Sequence, residues 1–379
     1  MRIGIDASLL GSDGGIPKYV ESLIGALARL APGHSLVLWC GRRGAFRAAE
    51  RLALPGTDIV PPSPVWGFLD LVGRLAWVNA LSIEAFGGAV DVFHGLNYFL
   101  PAQRGKAALV VTVHDLSALR YPKWHPAHRR LAHHIALGRT LRAADRVITD
   151  SQAVRAEVIA DLGVPPEKVA AVPLAPALGF HPREPAGLKP ILDRWDLAPG
   201  GYLLFAGAIE PRKNLLRLLA AVVALRERRG VPPLMLAGPP GWRNHEIHGG
   251  IGAASPHVRY LGHVRRDELT ALMAGCAALV LPSLYEGFGL PVLEAMASGV
   301  PVVTSRGGAL EEVAGDAAIL VDPLDVEAIA AGIEKVLDDT SLQEALMRKG
   351  LARAAQFSWE RTAKGTLGVY EEAIAARRA

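Results

Sequence analysis

Short apolar runs alternate with longer amphipathic segments along the chain. In the first half, Arg2–Asp6, Leu36–Cys40, Val90–His94, Leu109–Val113 and Arg146–Ser151 each hold a compact apolar run, and each predicts a strand. Lys18–Leu30, between the first two, spaces its apolar residues at helical period and predicts a helix. Strands alternating with helices imply a parallel, doubly wound sheet with right-handed crossovers. The stretch from Val172 to Gly201 is dense in Pro and Gly, including Pro173, Pro176, Pro182, Pro185, Pro190 and Pro199, and reads as a domain boundary. The alternation then restarts. Tyr202–Gly207, Leu234–Gly238, Arg259–Gly262, Ala277–Pro282, Val300–Ser305 and Ala318–Val321 predict strands, Leu215–Arg229 a helix, and further helices lie between them. The expected architecture is α/β: two doubly wound domains in series, facing across a cleft.

Composition narrows the class. A chain of 379 residues suits two or three domains, and 50% hydrophobic with 21% charged residues excludes a disordered or fibrous protein. Cys40 and Cys276 are far apart and lie in apolar runs, so no disulfide framework or Cys-based zinc site can be built, and a reducing, cytoplasmic setting is expected. The opening Met1-Arg-Ile-Gly-Ile-Asp6 breaks polarity too early for a signal peptide. No stretch reaches the ~18 uninterrupted apolar residues of a spanning helix.

Candidate chemistry concentrates in Glu286-Gly-Phe-Gly-Leu-Pro-Val-Leu-Glu294. It follows a predicted strand. Gly287 and Gly289 permit a tight turn and close backbone approach, and Pro291 suits a first helical turn, whose free N–H groups attract phosphate. Glu286 and Glu294 would bracket a ligand at the carboxyl edge of a parallel sheet. Carboxylates repel phosphates, so they suit sugar hydroxyls; the plain alternative is a loop Glu and a helix Glu that complements the dipole. The second segment, Phe205-Ala-Gly-Ala-Ile-Glu-Pro-Arg-Lys-Asn214, sets Arg212 and Lys213 at a helix start, where they oppose the dipole. An anionic ligand would remove that conflict; two solvated cations are the plain alternative. His114 ends the run Leu109–Val113, beside Asp115, which could orient it; otherwise it is a histidine in a polar loop.

Gly207–Asn214, Pro282–Thr304 and Gly308–Pro323 resemble the donor-binding half of the retaining glycosyltransferases of family 4, which have the GT-B fold. Asp6–Tyr19 with Gly14-Gly15, Val113-His-Asp-Leu116, Asp150-Ser-Gln152 and Phe357-Ser-Trp-Glu360 extend the resemblance over nearly the whole chain. The His-Asp-Leu and Glu-Pro-Arg-Lys-Asn segments resemble bacterial mannosyltransferases of polysaccharide and O-antigen assembly. The resemblance implies a metal-independent hexosyltransferase with no cofactor, its co-substrate a nucleotide sugar such as GDP-mannose. Glu286 would hold hydroxyls of the donor sugar, Glu294 the ribose, and Arg212 and Lys213 the diphosphate. Gly207, Gly287, Phe288, Gly289 and Leu290 would complete the donor site, and Gly262–Val264, with His263, would meet the base. Gly14 and Gly15 would bring backbone toward phosphates and acceptor, and His114 would face the donor sugar, so that His114→Ala should lower turnover far more than stability. Many relatives carry Gly-Arg where this chain has Gly207-Ala208, which leaves more of the charge to Arg212. No Asp-x-Asp triplet occurs, so no metal-diphosphate clamp is expected. The implied division is an acceptor-side domain over 1–180, a donor domain over 181–356 and a helix over 357–379 that crosses back to the first domain.

The net charge is +4, but residues 1–180 hold 19 Lys/Arg against 14 Asp/Glu, so the excess lies in the N-terminal half. Residues 120–146 carry Arg120, Lys123, Arg129, Arg130, Arg139, Arg142 and Arg146 against Asp145 alone, with His125, His128, His133 and His134 among them. Arg42, Arg43, Arg47 and Arg51 form a smaller group, and Val65–Trp77 mixes large apolar residues with few charges. Solvated helix faces explain each segment singly; together they suit an anionic membrane surface and an acceptor sugar on a lipid diphosphate. Nucleic acid is disfavoured, since no RRM-like, KH-like or zinc-finger pattern occurs. A UDP- or ADP-sugar donor, a non-catalytic nucleotide-sugar-binding protein, and a GT-B epimerase or phosphorylase remain as alternatives.

Overall fold

The structure, a computed structural model, describes residues 1–12, 14–30, 32–61, 88–101 and 105–378, without the side chains at 128, 129 and 132–136. The apolar segment Val65–Trp77 and the side chains of His128, Arg129, His133 and His134 therefore lie outside the described residues.

The chain divides into two compact units. Unit 1 comprises Met1–Leu119, His128–Leu174 and Ser358–Ala379. Its strands are β1 (Arg2–Asp6), β2 (Ser35–Trp39), β3 (Thr57–Val60), β4 (Val92–Gly95), β5 (Ala108–Val113), β6 (Arg146–Thr149) and β7 (Val169–Ala171). They form a parallel sheet in the order β3-β2-β1-β4-β5-β6-β7. The central strands are mostly apolar, as strands covered on both faces are, with His94 in β4 and Thr112 in β5 as buried polar exceptions; all six residues of β5 are buried. The helix Trp359–Arg378 packs on the helix Gly15–Leu30 and on β4, β5 and β6.

Unit 2 comprises Arg120–Ala127 and Ala175–Phe357. Its strands are β8 (Leu203–Ala206), β9 (Leu234–Ala237), β10 (Val258–Gly262), β11 (Ala278–Leu281), β12 (Val302–Ser305) and β13 (Ile319–Val321), parallel in the order β10-β9-β8-β11-β12-β13. Each sheet reverses its winding once, between β1 and β4 in unit 1 and between β8 and β11 in unit 2. Open α/β sheets bind ligands outside the carboxyl ends of the strands at such a reversal.

The predicted strands match β1, β2, β4–β6 and β8–β13 to within about two residues at each end. β3 and β7 escaped prediction because Thr-Asp-Ile-Val and Val-Ala-Ala lack a strong apolar run; both are edge strands placed by pairing. The Pro-rich boundary contains a helix, Pro185–Leu192, with Pro185 in its first turn, where the missing N–H costs nothing. Its Leu188 and Leu192 pack on Gly275, where a Cβ would lie 2.9 Å from Leu192 Cδ1. The changeover between units falls after Leu174, and Arg120–Ala127 clusters with unit 2 although sequence order sets it in the first half.

Close backbone contact fixes the loops at the carboxyl edge of unit 2. A Cβ on Gly238 would lie 2.0 Å from the Gly207 carbonyl oxygen, so the loops after β8 and β9 can approach only through glycine. Gly238→Ala must displace backbone, and should lower unfolding free energy by about 2 kcal/mol or more. Denaturant titration checks this; a loss within the ordinary surface range of about 0.5 kcal/mol would contradict it.

Candidate active site

The site in unit 2 starts from two strand ends that meet at the reversal. The chain leaves β8 through Gly207, makes a tight 3-10 turn over Pro211–Lys213, and enters the helix Leu215–Arg229 through Asn214. Asn214 sits in the left-handed region at φ 59°, which Asn tolerates better than most residues. Its Nδ2 donates to the carbonyls of Pro282 at 2.9 Å and Pro323 at 2.6 Å. One side chain thus ties the β8 loop to the ends of β11 and β13. The chain leaves β11 through Ser283 and Glu286 and enters the helix Leu290–Ala297 through Gly289, whose φ is 113° and whose Cβ, if present, would lie 2.8 Å from Leu310 Cδ2. Only glycine fits there.

These loops bring four charges together. Glu286 Oε1 accepts from Lys213 Nζ at 2.5 Å and from Ser283 Oγ at 2.8 Å, while Oε2 accepts from Arg212 Nη1. Arg212 Nε lies 2.5 Å from Glu210 Oε1. Glu210 is 1% exposed, and its other oxygen is buried without a hydrogen-bond partner. The cluster of two cations and two carboxylates is formally neutral. Burial alone would raise the Glu286 pKa, but the Arg212 and Lys213 cations and the hydrogen bonds to Lys213 and Ser283 outweigh it and hold the carboxyl at about 2. Burial and the neighbouring Arg212 lower the Lys213 pKa, against the pull of Glu286 and Glu210.

This arrangement revises two expectations. Arg212 and Lys213 precede the helix rather than open it, and the protein's own carboxylates already neutralise them. Glu286 likewise spends both oxygens inside the cluster. Glu294 is buried in the helix Leu290–Ala297, with Phe288 buried at its entrance. His263 lies exposed just past β10, beside Gly262, whose carbonyl accepts from Gly238 N at 2.8 Å. Arg212, Lys213 and Glu286 are in direct contact, and a Cβ on Gly207 would lie 3.5 Å from Lys213 Cε.

The other predicted residues lie in unit 1. Gly14, at φ 126°, and Gly15 are exposed at the start of the helix Gly15–Leu30, past the carboxyl end of β1. His114 follows β5 and is 6% exposed. Its orienting carboxylate is Asp150, not Asp115: Nδ1 lies 2.7 Å from Asp150 Oδ2, and Nε2 lies 2.8 Å from the Leu96 carbonyl. Asp115 instead accepts from Ser117 N and Oγ. Two oxygens face the two ring nitrogens, an arrangement that favours the doubly protonated, cationic ring. Burial lowers the His114 pKa, but the Asp150 carboxylate and the two hydrogen bonds, with a contribution from Asp115, outweigh it and raise the pKa above its ordinary value. Nearby His94 has the opposite fate. Its nitrogens meet Tyr370 Oη and Thr112 Oγ1, both at 2.8 Å, and burial with the His114 charge pulls it down to about 3.

Sequence reasoning gave no role to Glu210, Asn214, Ser283 or Asp150. The first two stand within Glu-Pro-Arg-Lys-Asn, Ser283 within Pro282–Thr304 and Asp150 within Asp150-Ser-Gln152, but nothing local gave any of them a role.

Two outcomes are expected. Glu286 titrates below its unfolded value of about 4.3, so its stabilisation is present above that pH and fades as pH falls toward about 2. The unfolding free-energy gap between wild type and Glu286→Gln should hold steady from about pH 7 to about pH 5 and narrow below that; a gap independent of pH would contradict the ion pairing. His114→Ala leaves the buried Asp150 carboxylate uncompensated and should cost stability by about 3–5 kcal/mol, as removal of one partner from a buried pair does. That differs from the earlier expectation of a loss mainly in turnover, and chemical denaturation distinguishes the two.

Residues 13–175 match the family described as Glycosyltransferase Family 4, and residues 198–353 match Glycosyl transferases group 1. The chain is 40% identical over 283 residues to O-antigen chain mannosyltransferase B of Escherichia coli, covering 74% of each protein. It is 35% identical over 409 aligned positions to the MMP alpha-(1->4)-mannosyltransferase of Mycolicibacterium hassiacum, covering 96% of this chain and 95% of that one. The structure of Anabaena Alr3699/HepE in complex with UDP and glucose superposes with a TM-score of 0.74 at 20% identity, over 97% of this chain and 98% of that one. The chain belongs to glycosyltransferase family 4 and is a glycosyltransferase of the GT-B fold.

Proposed function

We propose that this glycosyltransferase moves mannose from GDP-mannose to a saccharide acceptor, lipid-linked acceptors included, in polysaccharide or O-antigen assembly. The observation that carries the proposal is the cluster of Arg212, Lys213 and Glu286 at the β8/β11 reversal, in a chain 40% identical to an O-antigen chain mannosyltransferase. In the transfer, the bond from C1 of the sugar to the diphosphate oxygen breaks and a bond from C1 to the acceptor oxygen forms. The acceptor proton passes to the departing phosphate on the same face, which retains the anomeric configuration. Arg212 and Lys213, already desolvated and aimed, meet the charge that develops on the leaving group. As the diphosphate draws them, Glu286 is released to accept from sugar hydroxyls. Glu294 serves the ribose, and the backbone around His263 the base. Gly14 and Gly15 offer backbone N–H groups to phosphate and acceptor. His114 acts first as a buried cation that holds the Leu96 carbonyl; contact with the sugar requires that bond to open. We assign no metal and no cofactor.

The basic stretch supports a further feature of this proposal, peripheral binding to an anionic membrane. The helix Ala127–Ala143 contains no acidic residue, and Leu131 on it is 61% exposed beside exposed Arg130. Each cation near such a surface contributes ~1 kcal/mol. Among the described residues no helix is long and apolar enough to cross a membrane.

A thermal-shift series with GDP-mannose, UDP-glucose, ADP-glucose and dTDP-glucose tests the donor. A ligand at 100 times its Kd stabilises by about 2.7 kcal/mol, so GDP-mannose should raise Tm most; a larger rise with another nucleotide sugar overturns the donor assignment. Flotation should carry the protein with phosphatidylglycerol vesicles at low salt and release it at high salt; no binding at low salt overturns the membrane feature.

A further inference from the structure

We propose that Tyr121 and Trp124, backed by the buried Tyr285, form an aromatic platform in unit 2, beside the charge cluster, that stacks a pyranose ring of the saccharide acceptor; this rests on the glycosyl-transfer function above. The segment Arg120–Ala127 is anchored at both ends within unit 2. At one end the Tyr121 ring lies 5.4 Å from that of Tyr285, in the loop after β11. At the other, the His125 ring lies 5.5 Å from that of Trp242, and Arg243 Nη1 donates to the Lys123 carbonyl at 2.9 Å, both in the loop after β9. In the strand order β9-β8-β11 the segment therefore spans the position of the β8 loop, which carries Arg212 and Lys213. Tyr285 immediately precedes Glu286, and its carbonyl accepts from Arg212 Nη1 at 3.3 Å. Platform and cluster share one backbone.

Tyr285 is buried, but Tyr121 and Trp124 differ from core aromatics. Tyr121 and Trp124 stack in parallel, with centroids 4.1 Å apart and planes 17° apart, yet both stay half-buried and the intervening Pro122 and Lys123 are exposed. The aromatics of the two cores, such as Phe93 and Phe205, are fully buried. The outer face of the stacked Tyr121–Trp124 pair, electronegative as aromatic faces are, suits the weakly positive C–H face of a pyranose, while nearby charged groups take its hydroxyls. A nucleotide base is the poorer fit. The base belongs near Gly262–Val264 at the end of β10, beyond β9, whereas Tyr285 stands on the β11 side.

Saturation-transfer NMR with mannotriose, maltotriose and chitotriose on the full chain tests the platform. At least one trisaccharide should receive saturation at its ring C–H protons. Its affinity should fall roughly tenfold in Trp124→Ala, the scale of one lost stacking contact, and recover largely in Trp124→Phe. The Tm rise caused by nucleotide sugar should be equal in all three proteins. Where Trp124→Ala fails to fold, Tyr121→Leu is read in the same way. The proposal is overturned if no trisaccharide is saturated by wild type, if Trp124→Ala binds as wild type does, or if Trp124→Ala loses the nucleotide-sugar Tm rise, which would mark a base-stacking site. Absence of any nucleotide-sugar Tm rise in wild type instead counts against the proposed donor, and the trisaccharide result still decides the platform.

Discussion

Two cations and two carboxylates buried at a sheet reversal set the terms for the rest of unit 2. Desolvating any one of these groups alone would cost several kcal/mol, and their mutual attraction repays that only with close geometry and further hydrogen bonds. The loops are built to supply both. Asn214 ties three strand ends together, Ser283 gives Glu286 a neutral donor, and Gly238 lets the β9 loop press against the β8 loop. The strand order makes this meeting possible, since β8 and β11 are adjacent in space but lie far apart in sequence.

A neutral cluster also bears on how an anionic donor would bind. A diphosphate brings negative charge to a place where Glu286 already occupies both cations. On the proposed function, Glu286 and the diphosphate compete for Arg212 and Lys213, and the competition frees the carboxylate when a donor sugar needs an acceptor of hydrogen bonds. Glu210 stays out of that exchange. It is more deeply buried and holds Arg212 through Nε, which leaves the terminal nitrogens directed elsewhere. Unit 1 uses the same physics differently: Asp150 and the Leu96 carbonyl favour the charged form of His114, while burial, with a contribution from that charge, keeps His94 neutral.

Much of this was legible in the sequence. The alternation of apolar runs and amphipathic segments located the central strands, because strands buried on both faces must be continuously apolar. The Gly and Pro spacing around Glu286 located the strand-to-helix turn, because Gly289 sits where only glycine fits. What remained hidden depended on contacts distant in sequence. Arg212 and Lys213 read as cations awaiting a ligand, since nothing local shows that Glu286, more than seventy residues on, would neutralise them. Asp115 read as the partner of His114 because it is adjacent, whereas β5–β6 pairing delivers Asp150. The segment Arg120–Ala127 read as part of the first domain, but its contacts to Tyr285, Trp242 and Arg243 place it with the second unit.

In the proposed transfer, Arg212 and Lys213 serve a diphosphate at the β8/β11 reversal. Calorimetric titration of GDP and of guanosine into wild type, Arg212→Gln and Lys213→Gln tests this most directly. Each substitution should weaken GDP at least about tenfold, the scale of a lost charge-assisted contact, and leave guanosine unchanged. Equal losses for GDP and guanosine, or no loss for GDP, would contradict the assignment of these cations to the diphosphate.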